Sequence, residues 1–157
     1  MRKEMYKQED FGKMGKTFER DLKVLLGLSD KVSSPGKVDF RKRYKNYEAK
    51  TGAGELGNVG GKLIKGCSLV AYVPVVNMNL PVEKQEGFIL DKAVFLEILA
   101  DLGLIRTKKS TYGTMKVTIQ TFWNHSKNKP HSLKKYNALL DALYERCEMT
   151  LEEWVRL

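Results

Sequence analysis

The segment 15–27 predicts an amphipathic helix, because its apolar residues recur at helical spacing and so form one stripe. Gly27 follows the last apolar position and supplies the left-handed stop that glycine favours at a helix end. The preceding residues, 1–14, are polar and predict a flexible N-terminal tail. The residues of the apolar stripe are Phe18, Leu22, Leu25 and Leu26.

Two strand signals follow in the first half of the chain. Residues 37–51 are rich in Tyr, Phe and Val and predict two short strands or one hairpin after the turn signal at 33–36. Residues 69–76 form a dense apolar run that predicts a central strand buried on both faces, with Pro74 at its end. The glycine-rich segment 52–61 between them predicts a mobile or tightly turned loop.

The second half of the chain alternates helix and strand signals. Asp91 is a good N-cap for a helix that stops at Gly103, and residues 104–123 alternate as strands do. Ser132 can begin another helix, and a capping box at 150–153 predicts a short last one. The order of elements predicts a mixed α/β fold.

Length and composition narrow this picture to one domain. At 157 residues and 42% hydrophobic content, the chain can close a single core, which we expect to span residues 15–157. No stretch approaches the roughly 18 consecutive apolar residues of a membrane-spanning helix, and the N-terminus is too polar for a signal peptide. We therefore expect a cytoplasmic protein.

Positive charge is unevenly distributed along the chain. The net charge is +9, and the segment 106–135 holds eight Lys or Arg and no Asp or Glu. The segment 37–50 adds six basic residues against two acids. Clustered cations attract polyanions and indicate a nucleic-acid partner, with an ordinary lysine-rich surface as the alternative interpretation.

Candidate chemistry lies in the segment 38–50. If Tyr47–Thr51 is a strand, Glu48 and Lys50 project together from one face, and Asp39 can face them from a neighbouring strand. Two carboxylates beside a lysine are costly unless a hard divalent cation takes both as ligands. The arrangement therefore favours Mg²⁺ or Mn²⁺ chemistry on a phosphate.

Asp39 together with Glu48-Ala49-Lys50 resembles the motif of the PD-(D/E)XK nuclease superfamily, which includes restriction endonucleases and archaeal Holliday-junction resolvases. The resemblance implies that Asp39 and Glu48 bind the metal and that Lys50 acts on the attacking water. It also implies that Glu19 on the first helix reaches the metal. The implied fold is a restriction-endonuclease-like mixed sheet flanked by helices, with its catalytic core in residues 15–76.

Aromatic side chains are interleaved with the cations of the segment 104–157, which carries the basic strands and the C-terminal helices. Rings beside cations suit a surface where bases stack and phosphates pair. The alternative is a core position, which we favour for Phe122. The candidate nucleic-acid contacts are Arg41, Lys42, Arg43, Lys108, Lys109, Lys127, Lys129 and Trp123.

These observations together lead to the expectation of a Mg²⁺-dependent DNA endonuclease, with RNA an open alternative as substrate. Its size and basicity would suit a phage or mobile-element protein. A homodimer formed through the C-terminal helices is a further expectation. Two other hypotheses stay open: a nucleic-acid-binding accessory protein without catalysis, and an interaction or inhibitor protein whose basic face meets an acidic protein.

Overall fold

A computed structural model provides the structure of the chain. Asp39 and Arg43, which the sequence singles out, lie outside the residues that the structure describes. The described residues are 18–22, 40–42, 45–58, 68–77, 79–109, 113 and 115–157.

The described chain is mixed α/β. Residues 18–22 are helical (α1), within the helix predicted over 15–27. The later helices are α2 (Lys92–Asp101), α3 (Leu133–Arg146) and α4 (Leu151–Val155), and a 3-10 turn covers Val82–Lys84. None of the helices in the described ranges is long and apolar enough to cross a membrane.

Side-chain caps fix where these helices begin, as the sequence predicted. The Asp91 carboxylate accepts the Ala93 N–H at the start of α2, and the Ser132 hydroxyl accepts the Lys135 N–H at the start of α3. Thr150 and Glu153 form the reciprocal capping box of α4. Each cap satisfies backbone donors that the first helical turn leaves unpaired.

A five-stranded mixed sheet forms one layer of the fold, with the order β1-β2-β4-β5-β10. Strand β2 pairs in parallel with β4, and the other neighbours are antiparallel. Strands β1 and β2 form the hairpin that the segment 37–51 predicted. The strands are β1 (Phe40–Lys42), β2 (Lys45–Thr51), β4 (Leu69–Val73), β5 (Phe88–Asp91) and β10 (Met149–Thr150).

The central strand β4 is buried along its whole length, as its apolar sequence predicted. Its side chains alternate between two hydrophobic cores, one on each side of the sheet. Val70 and Tyr72 belong to the α2–α3 core, defined by β4, β5, α2 and α3 residues such as Leu90, Leu99 and Leu143. Ala71 and Val73 belong to the α4 core, whose remaining members are Phe18, Leu22, Tyr47, Leu69, Ile89, Leu151 and Trp154.

The α4 core joins both ends of the described chain. Trp154 of α4 stacks at a tilt against Tyr47 of β2, with ring centroids 5.1 Å apart, and its indole N–H donates to the Tyr47 hydroxyl at 3.3 Å. Gly87 makes close packing possible beside them. A Cβ at position 87 would lie 2.9 Å from side-chain atoms of both Leu151 and Val73.

A second, three-stranded sheet has the order β3-β7-β6. Its strands are β3 (Glu55–Asn58), β6 (Ile105–Lys109) and β7 (Met115–Ile119). The prediction of an irregular loop over 52–61 was wrong at β3, which pairs with β7 across a register shift between Glu55 and Gly57. The reason is that Gly57, at φ 137°, adopts the backbone conformation of the bulge and leaves the pairing on either side intact.

A two-stranded hairpin completes the described strands. It consists of β8 (Trp123–Asn124) and β9 (Lys129–Pro130), joined by a tight turn in which Asn128 adopts a positive φ of 51°. Asparagine tolerates that left-handed conformation better than most residues. The hairpin leads directly into the Ser132 cap of α3, and Trp123 at its start packs against the α2–α3 core.

Candidate functional site

Glu48 and Lys50 project from the same face of β2. Their strand neighbours on β4 are Val70 and Tyr72, whereas Tyr47 on the other face is buried in the α4 core. This alternation follows from the two-residue repeat of a strand. The pair therefore places one carboxylate and one ammonium on the α2–α3 side of the sheet.

The two charged groups are close and partly buried. The Lys50 ammonium lies 3.6 Å from a Glu48 carboxylate oxygen, and the side chains are 23% and 18% exposed. That distance is an ion-pair contact that exceeds ordinary hydrogen-bond length. Lys50 also donates to the backbone carbonyl of Glu55 at 2.9 Å. Two anchors thus fix the position of the Lys50 ammonium.

The turn after Lys50 is held by the central strand. The buried Tyr72 hydroxyl donates to the Gly52 carbonyl at 2.8 Å, and the Gly52 N–H donates to the Val73 carbonyl at 2.9 Å. Burial raises the pKa of Tyr72 far above its ordinary value, so the hydroxyl stays protonated and remains a donor. Gly52 has φ +60°, which glycine adopts without strain. These bonds fix the end of β2 beside the Glu48–Lys50 pair.

The other two predicted metal ligands are Asp39 and Glu19. Asp39 lies outside the described residues, directly before β1. Glu19 is 7% exposed in α1, where its neighbours Phe18 and Leu22 pack into the α4 core with Tyr47. Phe18 and Leu22 thus pack on the α4 side of the sheet, whereas Glu48 projects from the α2–α3 side. Within the described ranges, no three His, Cys, Asp or Glu side chains cluster as a metal site. The predicted set of three ligands includes Asp39, which lies outside those ranges.

A small pocket opens beyond the ends of the parallel strands β2 and β4. Its volume is about 30 Å³, which admits a water-sized molecule. The Trp123 indole nitrogen is buried and has no hydrogen-bond partner in the described part of the chain. The pocket was not predicted from the sequence, which indicated only a mobile or tightly turned loop after β2. The lining residues come from the ranges 51–53, 74–76 and 121–123, together with position 125.

The predicted basic residues of β6 are exposed and divide between its two faces. Lys108 lies opposite Lys116 of β7, and Lys109 lies opposite Met115. Because neighbouring side chains alternate, Lys108 and Lys109 point to opposite sides of the sheet. Sequence reasoning did not single out Glu55, whose carboxylate pairs with Lys116 at 2.6 Å.

The remaining predicted contacts lie on β1 and on the β8–β9 hairpin. Arg41 and Lys42 belong to β1, and Lys127 and Lys129 are exposed on the hairpin. Trp123 is half-buried and packs edge-on against Tyr136 at 5.4 Å. Phe122 is buried in the α2–α3 core, the alternative that the sequence analysis favoured. Three separate elements, strand β1, the three-stranded sheet and the β8–β9 hairpin, therefore carry the described candidates.

Comparison of the chain with protein-family models, with curated proteins and with solved structures returns no match. A proposal for its function therefore rests on the geometry of the chain's own residues.

Proposed function

We propose that this chain is a Mg²⁺-dependent DNA endonuclease of restriction-endonuclease-like fold, built as a single cytoplasmic domain, with its active site at Glu48 and Lys50. The observation that carries the proposal is the placement of these two side chains on one face of β2, with their charged groups 3.6 Å apart. A partly buried acid and lysine beside the buried apolar strand β4 are costly to desolvate, and function is a common reason to retain them.

The donor set suits a hard divalent cation. Carboxylate oxygens are the ligands that Mg²⁺ and Mn²⁺ prefer, and Glu48 provides them beside the Lys50 ammonium. Asp39, Glu48 and Glu19 are the proposed ligands. When bound, the ion would polarise the scissile phosphate and lower the pKa of a bound water.

The protein groups have separate tasks in this proposal. Glu48 binds the cation, and Lys50 orients the attacking water and stabilises the negative charge that develops on the phosphate. The Glu55 carbonyl, which accepts from Lys50 at 2.9 Å, limits the movement of the ammonium. A fixed ammonium loses little entropy when the transition state forms, so this backbone contact supports catalysis indirectly.

A nuclease assay tests the proposal. Purified protein is incubated with linear duplex, single-stranded and branched DNA in Mg²⁺, Mn²⁺ or EDTA. We expect cleavage with either metal and none in EDTA. Glu48→Gln, Lys50→Gln and Asp39→Asn should each lower the rate by about 10²- to 10⁴-fold, because each removes a group that acts on the reacting atoms.

A matched lysine–glutamate pair provides the control. Lys84 contacts Glu152 at 2.8 Å between the 3-10 turn and α4, and both side chains are more exposed than the candidate pair. Lys84→Gln and Glu152→Gln remove the same charges and should leave cleavage unchanged. Full activity in all three site variants would reject the site, and no cleavage by the wild type on any substrate would reject the nuclease.

One observation favours a second candidate, a nucleic-acid-binding protein without catalysis. The three-stranded sheet carries exposed cations that bind polyanions whether or not Glu48 and Lys50 act on them. Salt-sensitive DNA binding without metal-dependent cleavage would support this candidate. If neither DNA binding nor cleavage is observed, the outcome would favour an interaction protein that docks on an acidic protein surface.

A further inference from the structure

Three cations share one face of the three-stranded sheet. The register pairs Arg106 with Thr118 and Lys108 with Lys116, so these side chains lie on the same side. Ile105, Val117 and Ile119 occupy the other side and pack on the α2–α3 core. The face with Arg106, Lys108 and Lys116, called here the basic face, therefore points away from the core.

The charges on this face are only partly balanced. Lys108 and Lys116 are directly opposite each other, an arrangement of like charges that destabilises a strand pair. The Glu55 carboxylate offsets Lys116 at 2.6 Å. No carboxylate in the described residues forms an ion pair with Arg106 or Lys108. The face thus keeps an excess of positive charge at a cost in stability, which binding of an anion would relieve.

Glu55 connects the basic face with the candidate active site. Its backbone carbonyl accepts from Lys50 at 2.9 Å, and its carboxylate contacts Lys116 at 2.6 Å. Lys50 and Lys116 thus both contact Glu55, the first at its backbone carbonyl and the second at its carboxylate. These two contacts of Glu55 link Lys116, on the basic face, to Lys50 of the candidate active site.

The composition of the face distinguishes between classes of partner. Protein interfaces bury an apolar centre, often with aromatic residues. The basic face presents Arg, Lys and Thr side chains, which are the usual donors to phosphate oxygens. Arg106 and Lys108 are two positions apart on one strand, a separation of about 7 Å along the backbone, so each can contact a different phosphate.

We propose that the basic face binds the phosphate backbone of DNA and leads it to Glu48 and Lys50, while the opposite face, which carries Lys109, does not bind it. The identity of the polyanion as DNA rests on the proposed function. In this arrangement, Glu55 competes with phosphate for Lys116 and so limits the affinity.

A comparison of neighbouring lysines tests the proposal. Lys108→Gln and Lys109→Gln remove the same charge from adjacent exposed positions on opposite faces. Binding of a fluorescein-labelled duplex is measured by anisotropy in EDTA over a range of salt concentrations. Lys108→Gln should weaken binding several-fold and reduce the slope of log Kd against log salt by about 1. Lys109→Gln should leave both close to wild type.

A change of opposite sign strengthens the test. Glu55→Gln keeps the backbone carbonyl that Lys50 contacts but frees Lys116, so it should tighten DNA binding and steepen the salt dependence. Equal losses from Lys108→Gln and Lys109→Gln would overturn the proposal, as would weaker binding by Glu55→Gln. Displacement of DNA by polyglutamate at equal charge concentration would assign the face to an acidic protein and would also overturn it.

The outcome is separable from that of the nuclease proposal. DNA binding that depends on Lys108, together with no cleavage in Mg²⁺ or Mn²⁺, would reject the nuclease and retain the basic face. Cleavage that depends on Lys50 but not on Lys108 at limiting DNA concentration would retain the nuclease and reject the basic face.

Discussion

The two larger sheets use charge in opposite ways. The five-stranded sheet has a central strand buried at all five positions, and Glu48 and Lys50 lie together on the strand beside it. The three-stranded sheet has an edge strand, β6, in which four consecutive residues from Arg106 to Lys109 are exposed. One sheet holds an ion pair near a core, and the other displays several cations to solvent.

The difference follows from the desolvation penalty of a charged group in each of the two environments. An ion pair beside a core pays a desolvation penalty, so its geometry must be held by neighbours such as Tyr72 and the Glu55 carbonyl. Exposed cations stay hydrated, so their desolvation penalty is small and their side chains need no fixed geometry. A site for chemistry requires the first environment, and long-range attraction of a polyanion requires the second. Substitutions should therefore affect stability in the five-stranded sheet and affinity in the three-stranded sheet.

The largest expected effect on stability is at the α4 core. Trp154→Ala removes a fully buried indole and its bond to Tyr47, and should lower the free energy of unfolding by about 3–5 kcal/mol. Met115→Ala on β7, where the side chain is 41% exposed, should cost less than about 0.5 kcal/mol. Urea denaturation measures both. Similar losses at the two positions would break the comparison between the sheets.

A pair of glycines gives the next effect in size. Gly87→Ala would place a Cβ 2.9 Å from atoms of Leu151 and Val73, so it should cost about 1–3 kcal/mol. At Gly54, in the connection from β2 to β3, no atom of the described residues other than its two chain neighbours lies within 4 Å of such a Cβ. Gly54→Ala should be neutral or slightly stabilising. Thermal denaturation of both variants checks the difference. An unchanged melting temperature for Gly87→Ala would show that the α4 core adjusts to the added methyl group.

The smallest effect depends on pH. The Tyr144 hydroxyl donates to Glu86 at 2.7 Å, and this bond, with burial, raises the pKa of Tyr144 from 10.0 to about 12. The folded state therefore favours the protonated phenol. Its stabilising contribution is present below pH 10 and is lost as pH rises from about 10 to about 12.

Tyr144→Phe separates this contribution from other groups that titrate in the same range. The variant should be slightly less stable than wild type at pH 8, and the difference should shrink as pH rises towards 12. Urea denaturation across that range provides the measurement. A difference that stays constant with pH would mean that the hydrogen bond to Glu86 does not control the titration.

Local signals in the sequence predicted much of the fold. The caps at Asp91, Ser132 and Thr150 act between residues two or three positions apart, so the sequence alone contains both partners. The apolar run of β4 and the hairpin of β1 and β2 also depend on neighbouring residues. The shared face of Glu48 and Lys50 needed only the alternation of a strand.

Contacts between distant segments were beyond such signals. Strand β3 was missed because its glycines indicate a turn, while its pairing with β7 depends on a partner some 60 positions further along the chain. Glu55 lies only five positions from Lys50 and was missed for a different reason, since its contact is made by a backbone carbonyl, which every residue possesses. The pairing of β2 with β4 and the packing of Trp154 on Tyr47 likewise depend on tertiary structure.

The contact between Trp154 and Tyr47 spans 107 positions and has a consequence for biosynthesis. At a translation rate of about 5–20 residues per second, Tyr47 is synthesised roughly 5–20 seconds before Trp154. During that interval, the apolar side of the growing sheet that includes Ala71 and Val73 lacks its covering helix. The nascent chain should therefore complete this side only after α4 has left the ribosome, and until then it presents an apolar surface that chaperones recognise.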